Sequence, residues 1–183
     1  MLSEVEKIRL GSKRPGALCT AFGSMLLYVD RSKNPSVIRW LDLSLSPPRE
    51  VKATNTDLQY IYSMVCVTVK DKHLLIAAGG EEGIRAYDTE SNELLLRKGG
   101  KLPGMGKDFN SYGVTADDSG HLFVCDINGH CVQVFSVADG SYLGAILPDL
   151  RNPRRITWCK QTSHLFVADE KSERCYIKKI KLL

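Results

Sequence analysis

The stretch Gly113-Val114-Thr115-Ala116-Asp117-Asp118-Ser119-Gly120-His121-Leu122-Phe123-Val124-Cys125-Asp126, continued by Ile127-Asn128-Gly129-His130-Cys131-Val132-Gln133-Val134-Phe135, decides the fold. Asp118-Ser119-Gly120-His121 is turn chemistry: glycine supplies positive φ and the aspartate bonds nearby backbone. The apolar run that follows, Leu122 to Cys125, has the length of a strand and not of a helix. Val132-Gln133-Val134-Phe135 alternates as a strand does. Ala138-Asp139-Gly140-Ser141 then marks a further hairpin, and Tyr142 to Ile146 follows it as a fourth strand. Four short strands joined by tight turns form one antiparallel sheet.

The same unit recurs. Leu26-Leu27-Tyr28-Val29-Asp30, Leu74-Leu75-Ile76-Ala77-Ala78, Leu122 to Asp126 and Leu165-Phe166-Val167-Ala168-Asp169 begin 48, 48 and 43 residues apart. A propeller blade takes ~40–50 residues. Each run is strand B of its unit. Strand A precedes it (Leu18 to Ala21, Val65 to Thr68, Val114 to Ala116, Ile156 to Trp158) and strand C follows (Ile38 to Leu41, Ile84 to Tyr87, Val132 to Phe135, Cys175 to Ile177). Strand D is Arg49 to Ala53, Leu94 to Arg97 and Tyr142 to Ile146; the fourth unit ends after C. The expectation is an all-β, propeller-like array of about four four-stranded blades near 16–53, 63–98, 112–147 and 154–183, in one domain of 1–183. Val5 to Leu10 is the candidate strand to close the last blade. The alternative is a partial propeller whose open edge recruits a second copy.

Composition narrows the class. The chain has 183 residues, 43% apolar and 25% charged, with net charge +4. That excludes a disordered chain and allows a sizeable core. No apolar run approaches the ~20 residues of a membrane span. Met1-Leu2-Ser3-Glu4-Val5-Glu6-Lys7 is no secretory leader. Six cysteines, no two separated by two residues, provide no zinc knuckle or ribbon. They read as reduced, buried thiols of a cytoplasmic protein. A bond between Cys125 and Cys131 across one turn is the competing reading.

The third unit resembles an NHL repeat, whose pattern is a GVA-type strand, a DxxGxLYVAD-type strand and an N-H-R-(V/I)-Q-V-F strand. Asn128, His130, Val132, Gln133, Val134 and Phe135 carry its last part. The fourth unit keeps Leu165 to Asp169 and lacks the Asn-His pair; the second departs at the acidic turn Gly80-Glu81-Glu82-Gly83. Its Arg85-Ala86-Tyr87-Asp88 also resembles a WD40 strand ending. Such propellers often form the C-terminal domain of tripartite-motif ubiquitin ligases, usually with six blades. The RING and B-boxes of that family have no counterpart in this sequence. The resemblance implies protein or RNA recognition, and ligase activity only through a further portion.

In a blade, the D-to-A and B-to-C connections share one face. The D-to-A connections, read as 11–15, 52–63, 99–112 and 148–155, carry eight basic residues (Lys13, Arg14, Lys52, Lys101, Lys107, Arg151, Arg154, Arg155) against three acidic ones. Tyr60, Tyr62, Phe109 and Tyr112 accompany them. Cations and flat rings on one face suit a partner protein or, alternatively, single-stranded RNA; plain solvation explains the same charge. The partner-binding candidates are Arg14, Lys101, Lys107, Tyr112, Arg151, Arg154 and Arg155. His73, His121 and His164 precede strand B in successive units, too far apart around a ring for one zinc at ~2.1 Å. His130 reads as a turn residue bonding to backbone. Asp30, Asp126 and Asp169 read as caps accepting N–H bonds from the following turn. The Gly99–Lys107 stretch lacks the Gly-Lys-Ser/Thr ending of a phosphate loop. No catalytic residue, metal or cofactor is expected. A propeller lyase or lactonase is the remaining, least supported class, because no ligand residue lines the strand A starts.

Overall fold

In the computed structural model the described residues are 15–104, 106–171 and 174–181. They form four antiparallel sheets. The first holds β1 (Pro15–Thr20), β2 (Met25–Asp30), β3 (Val37–Asp42) and β4 (Arg49–Asn55). The second holds β5 (Ser63–Val69), β6 (Lys72–Ala78), β7 (Ile84–Asp88) and β8 (Leu94–Lys98). The third holds β9 (Ser111–Ala116), β10 (His121–Asp126), β11 (Cys131–Ser136) and β12 (Tyr142–Ile146). The fourth holds β13 (Pro153–Cys159), β14 (His164–Lys171) and β15 (Arg174–Lys181). This is the four-bladed, propeller-like arrangement that the repeat predicts. The proposed closing strand, Val5 to Leu10, and Arg14 lie outside the described residues.

The second strand of each blade explains why the apolar runs are unbroken. Successive strand residues point to opposite sheet faces, and in β6 and β10 both faces are buried by neighbouring blades. Leu75 and Ala77 pack with Leu27, Val29 and Ile38 of the first blade. Leu74, Ile76 and Ala78 pack with Leu122, Val124 and Phe135 of the third. Phe123 and Cys125 in turn meet Leu165 and Val167 of the fourth. The first strands pack in order, β1 on β5, β5 on β9 and β9 on β13, and so line the axis.

All six cysteines are free. Cys125 lies opposite Val132 in the ladder and Cys131 opposite Asp126. One residue out of register, the two thiols project to opposite faces, which overturns the disulfide alternative.

Candidate interaction face

The repeated aspartates position the face. Asp30 and Asp126 end second strands, Asp169 lies two residues before the end of β14, and all three are buried. Asp30 accepts the Ser32 N–H at 3.1 Å, as a cap of the following turn, and pairs with Arg39 at 3.1 Å. Asp126 instead accepts the Asn110 N–H at 3.1 Å and Gln133 Nε2–H at 2.8 Å. Asp169 accepts the N–H groups of Arg151 and Asn152 at 2.9 and 2.8 Å. The expectation of a following-turn cap therefore holds at Asp30 and fails at Asp126 and Asp169. There the carboxylate reaches back to the incoming inter-blade connection, whose unpaired N–H groups lie closer.

A row of rings crosses this face. Tyr62, just before β5, stacks on Tyr112 of β9 with centroids 4.2 Å apart and planes at 18°. Tyr60 continues the row at 6.5 Å from Tyr62, and its side is 58% exposed. The guanidinium of Arg154 lies 5.4 Å over Tyr112 and pairs with Glu170 at 2.7 Å. Burial, followed by the neighbouring Tyr112, raises the Tyr62 phenol above its usual value. Arg155 donates to the Tyr62 carbonyl at 3.5 Å, bridging blades four and two.

Beside the rings, a cleft of about 320 Å³ is lined by Gln59, Tyr60, Tyr62, Glu81, Glu82 and Asn110, with Tyr112 at its base. The glutamates come from the β6–β7 turn. Gly80, at φ +68°, exchanges backbone bonds with Ser111, and Ser111 Oγ donates to the Gly83 carbonyl at 2.8 Å. Gly79 has no room for a Cβ, which would sit 2.6 Å from Leu58. The turn is thus clamped between two blades. Glu82 accepts the Gln59 N–H at 2.8 Å, while Glu81 is exposed. Asp57 anchors the tyrosine-bearing connection through Arg85 at 2.9 Å and through Arg97. Burial alone would raise its carboxyl, and the two guanidiniums bring it below the usual carboxylate range.

A second cleft, about 540 Å³, shares Glu81 and adds Lys101, Lys107, Asp108 and Asn128. Lys101 and Lys107 are therefore together, while Arg151 is exposed on the β12–β13 connection and lines neither cleft. Tyr112, Arg154 and Arg155 sit in the first strands and not in loops. Lys52 leaves the face altogether. It belongs to β4, lies 5.1 Å over Trp40 and donates to the Thr89 carbonyl. Glu81 and Glu82 were missed as site residues, although the turn that carries them already broke the repeat pattern. The B-to-C turns share the face with the D-to-A connections, and the second of these turns brings the two carboxylates.

Three of the four histidines are held individually, while Nδ1 of His164 is buried without a hydrogen-bond partner among the described residues. His73 Nδ1 lies 3.0 Å from Thr68 Oγ1 and His121 Nδ1 2.8 Å from Asp117. His130, at φ +54°, donates from Nδ1 to the Arg151 carbonyl at 2.8 Å, the expected backbone bond. Among the described residues, no three His, Cys, Asp or Glu side chains gather as metal ligands. Nor is any helix there long and apolar enough to cross a membrane.

An NHL repeat matches residues 113–135, the stretch from which the fold was read. No curated protein sequence matches the chain. Among solved structures it is similar to the computationally designed Ika4 protein, at 10% identity and TM-score 0.64, covering 100% of this chain and 99% of that one. It is similar to U3-55K at 13% identity and TM-score 0.69, covering 94% of this chain and 50% of that one. The RRP9 WD40 repeats match at 11% identity and TM-score 0.69, covering 94% and 52%. At such identities the likeness shows the fold alone, and the chain spans about half the length of the last two. The propeller fold is typical of interaction scaffolds, and NHL-repeat propellers are generally non-catalytic.

Proposed function

We propose that this chain is a non-catalytic scaffold in the cytoplasm that binds a protein partner through the face carrying Tyr60, Tyr62 and Tyr112. The observation that carries the reading is the mixed charge of the two adjoining clefts beside the aromatic row, of which Tyr60 is exposed. Glu81 and Glu82 line the first cleft with the tyrosines, and the second cleft, which shares Glu81, holds Lys101 and Lys107. Exposed tyrosine beside charges of both signs suits a protein interface, where aromatic anchors sit inside a polar rim. A phosphate backbone favours one unbroken positive groove. Here the two glutamates interrupt it and Glu170 already pairs Arg154.

Single-stranded RNA is the second reading, favoured by the stacked rings and by exposed Lys101, Lys107 and Arg151. By its NHL resemblance, the face would be the substrate-recognition part of a ubiquitin-ligase-type protein, which co-purification with a RING-bearing partner would test. The main test pairs two measurements. A photo-crosslinker placed at Gln59 should capture a discrete protein in cells, and Lys101→Glu with Lys107→Glu should abolish the capture. A mixed RNA pool should leave anisotropy unchanged at low salt. Tight, steeply salt-dependent RNA binding without protein capture would reverse the assignment.

A further inference from the structure

The molecule holds one cation in a way that its first cleft repeats without an internal occupant. Arg154 lays its guanidinium over Tyr112 at 5.4 Å while its Nε lies 2.7 Å from a Glu170 oxygen, an ion pair whose N–H is not aligned as a hydrogen bond. A ring face and a carboxylate together recognise a planar cation: the ring's quadrupole attracts the charge and the carboxylate takes its N–H groups. At the other end of the row, Tyr60 and Tyr62 line a cleft with Glu81 and Glu82, and no lysine or arginine lines it. Arg31 and Arg155 approach the same segment but donate to the Ile61 and Tyr62 carbonyls, outside the cleft lining. Glu82 uses one oxygen for the Gln59 N–H. Glu81 has no hydrogen-bond or ion-pair partner among the described residues.

We propose that this cleft is a binding site for an arginine side chain of a partner protein. The inference rests on the protein-binding reading above and names what the face recognises. Arginine fits better than lysine because its flat guanidinium can stack on tyrosine and still donate sideways to a carboxylate. The clamped turn supports the assignment. Gly80 bonded to Ser111 holds both glutamates beside the rings before any ligand arrives, so little ordering entropy is lost on binding.

The test uses the full chain and fluorescent heptapeptide pools, degenerate except at a fixed central residue: arginine, lysine, citrulline or glutamate. Citrulline keeps the shape of arginine and removes its charge. The arginine pool should bind about tenfold tighter than the citrulline pool, the gain of one charge-assisted contact in a partly desolvated site. Glu81→Gln with Glu82→Gln should erase that preference, as should Tyr60→Ala. Glu82→Gln keeps a carbonyl oxygen for the Gln59 N–H, and circular dichroism melts will show that each variant folds. Equal binding of the arginine and citrulline pools, tightest binding of the glutamate pool, or no binding by any pool would overturn the inference. The crosslinking response to Lys101→Glu and Lys107→Glu reports separately on the face as a whole, so the two readings fail independently.

Discussion

Replacing Asp126 with alanine tests how the repeat builds its face. The carboxylate is buried and accepts from the Asn110 backbone and the Gln133 side chain, at 3.1 and 2.8 Å. Alanine leaves both donors without this acceptor, where water cannot reach without opening the blade. The unsatisfied Asn110 donor costs ~1–3 kcal/mol and the loss of the Gln133 bond to a carboxylate ~1.5–3 kcal/mol, even with Gln133 still bonded to Cys131, so the change costs about 4 kcal/mol. In a chain of this size 1 kcal/mol corresponds to roughly 2–4 °C, which places the expected loss in Tm near 10 °C. Asp126→Asn retains an acceptor for Asn110 but turns an amide toward Gln133, so it should fall about halfway. Asp118, exposed and paired with Lys160, is the control, and its alanine variant should melt as the parent does. Differential scanning calorimetry gives the ranking. Hydrogen exchange at the Asn110 amide gives the local effect, because that amide should lose its protection in Asp126→Ala. An unchanged Tm with the Asn110 amide still protected would refute the claim that Asp126 fastens the inter-blade connection.

Three further predictions concern the fold and its titration. Gly83→Ala should destabilise by roughly 3 kcal/mol or more in urea titrations, because its Cβ would lie 1.9 Å from the Lys98 carbonyl at φ +80°. Gly120→Ala, at φ +85° with open space around it, should cost only about 1–2 kcal/mol, and equal losses would refute the steric argument. Acid should destabilise the chain: Asp139 is held at about 2, mainly by the Ser141 N–H, and Asp88 is also lowered. These groups bind fewer protons folded than unfolded. Their contribution is present above the ordinary carboxylate value of about 3.9 and is lost as pH falls through the lower folded values. Melting curves from pH 6 to 2 should therefore be level and then fall below about pH 4; a rise on acidification would contradict the sign. Iodoacetamide at pH 8 should label Cys175, which is exposed, and Cys159, whose thiol Thr162 lowers. Burial pushes Cys125 up to about 12 and Cys131 up to about 11. Peptide mapping should find both labelled only after unfolding, and native labelling of either would show that its blade opens.

Every described strand was legible in the sequence because its signals are local. An apolar run such as Leu122 to Cys125 needs burial on both faces, a turn such as Asp118 to His121 needs glycine, and the spacing of 48, 48 and 43 residues needs only counting. Strand ends were less legible. β4 continues to Asn55, and β13 begins at Pro153, which moved Arg154 and Arg155 out of the loops. Pairing within the blade extends each strand past the point where its alternation stops, Asn55 opposite Val37 and Pro153 opposite Asp169.

By itself, then, the sequence determined four blades, their strand order and the face on which the connections meet, since each follows from side-chain alternation, turn chemistry and period. Only the tertiary structure decided the character of that face. Tyr60 and Tyr62, Glu81 and Glu82, Tyr112, and Arg154 come from four separate segments. No local pattern requires them to meet. Packing β5 against β9 and β9 against β13 brings the rings into one row, and the Gly80–Ser111 bridge sets two carboxylates beside it. The charge of a site is a sum over neighbours in space, which the order of residues along the chain leaves open until the blades pack.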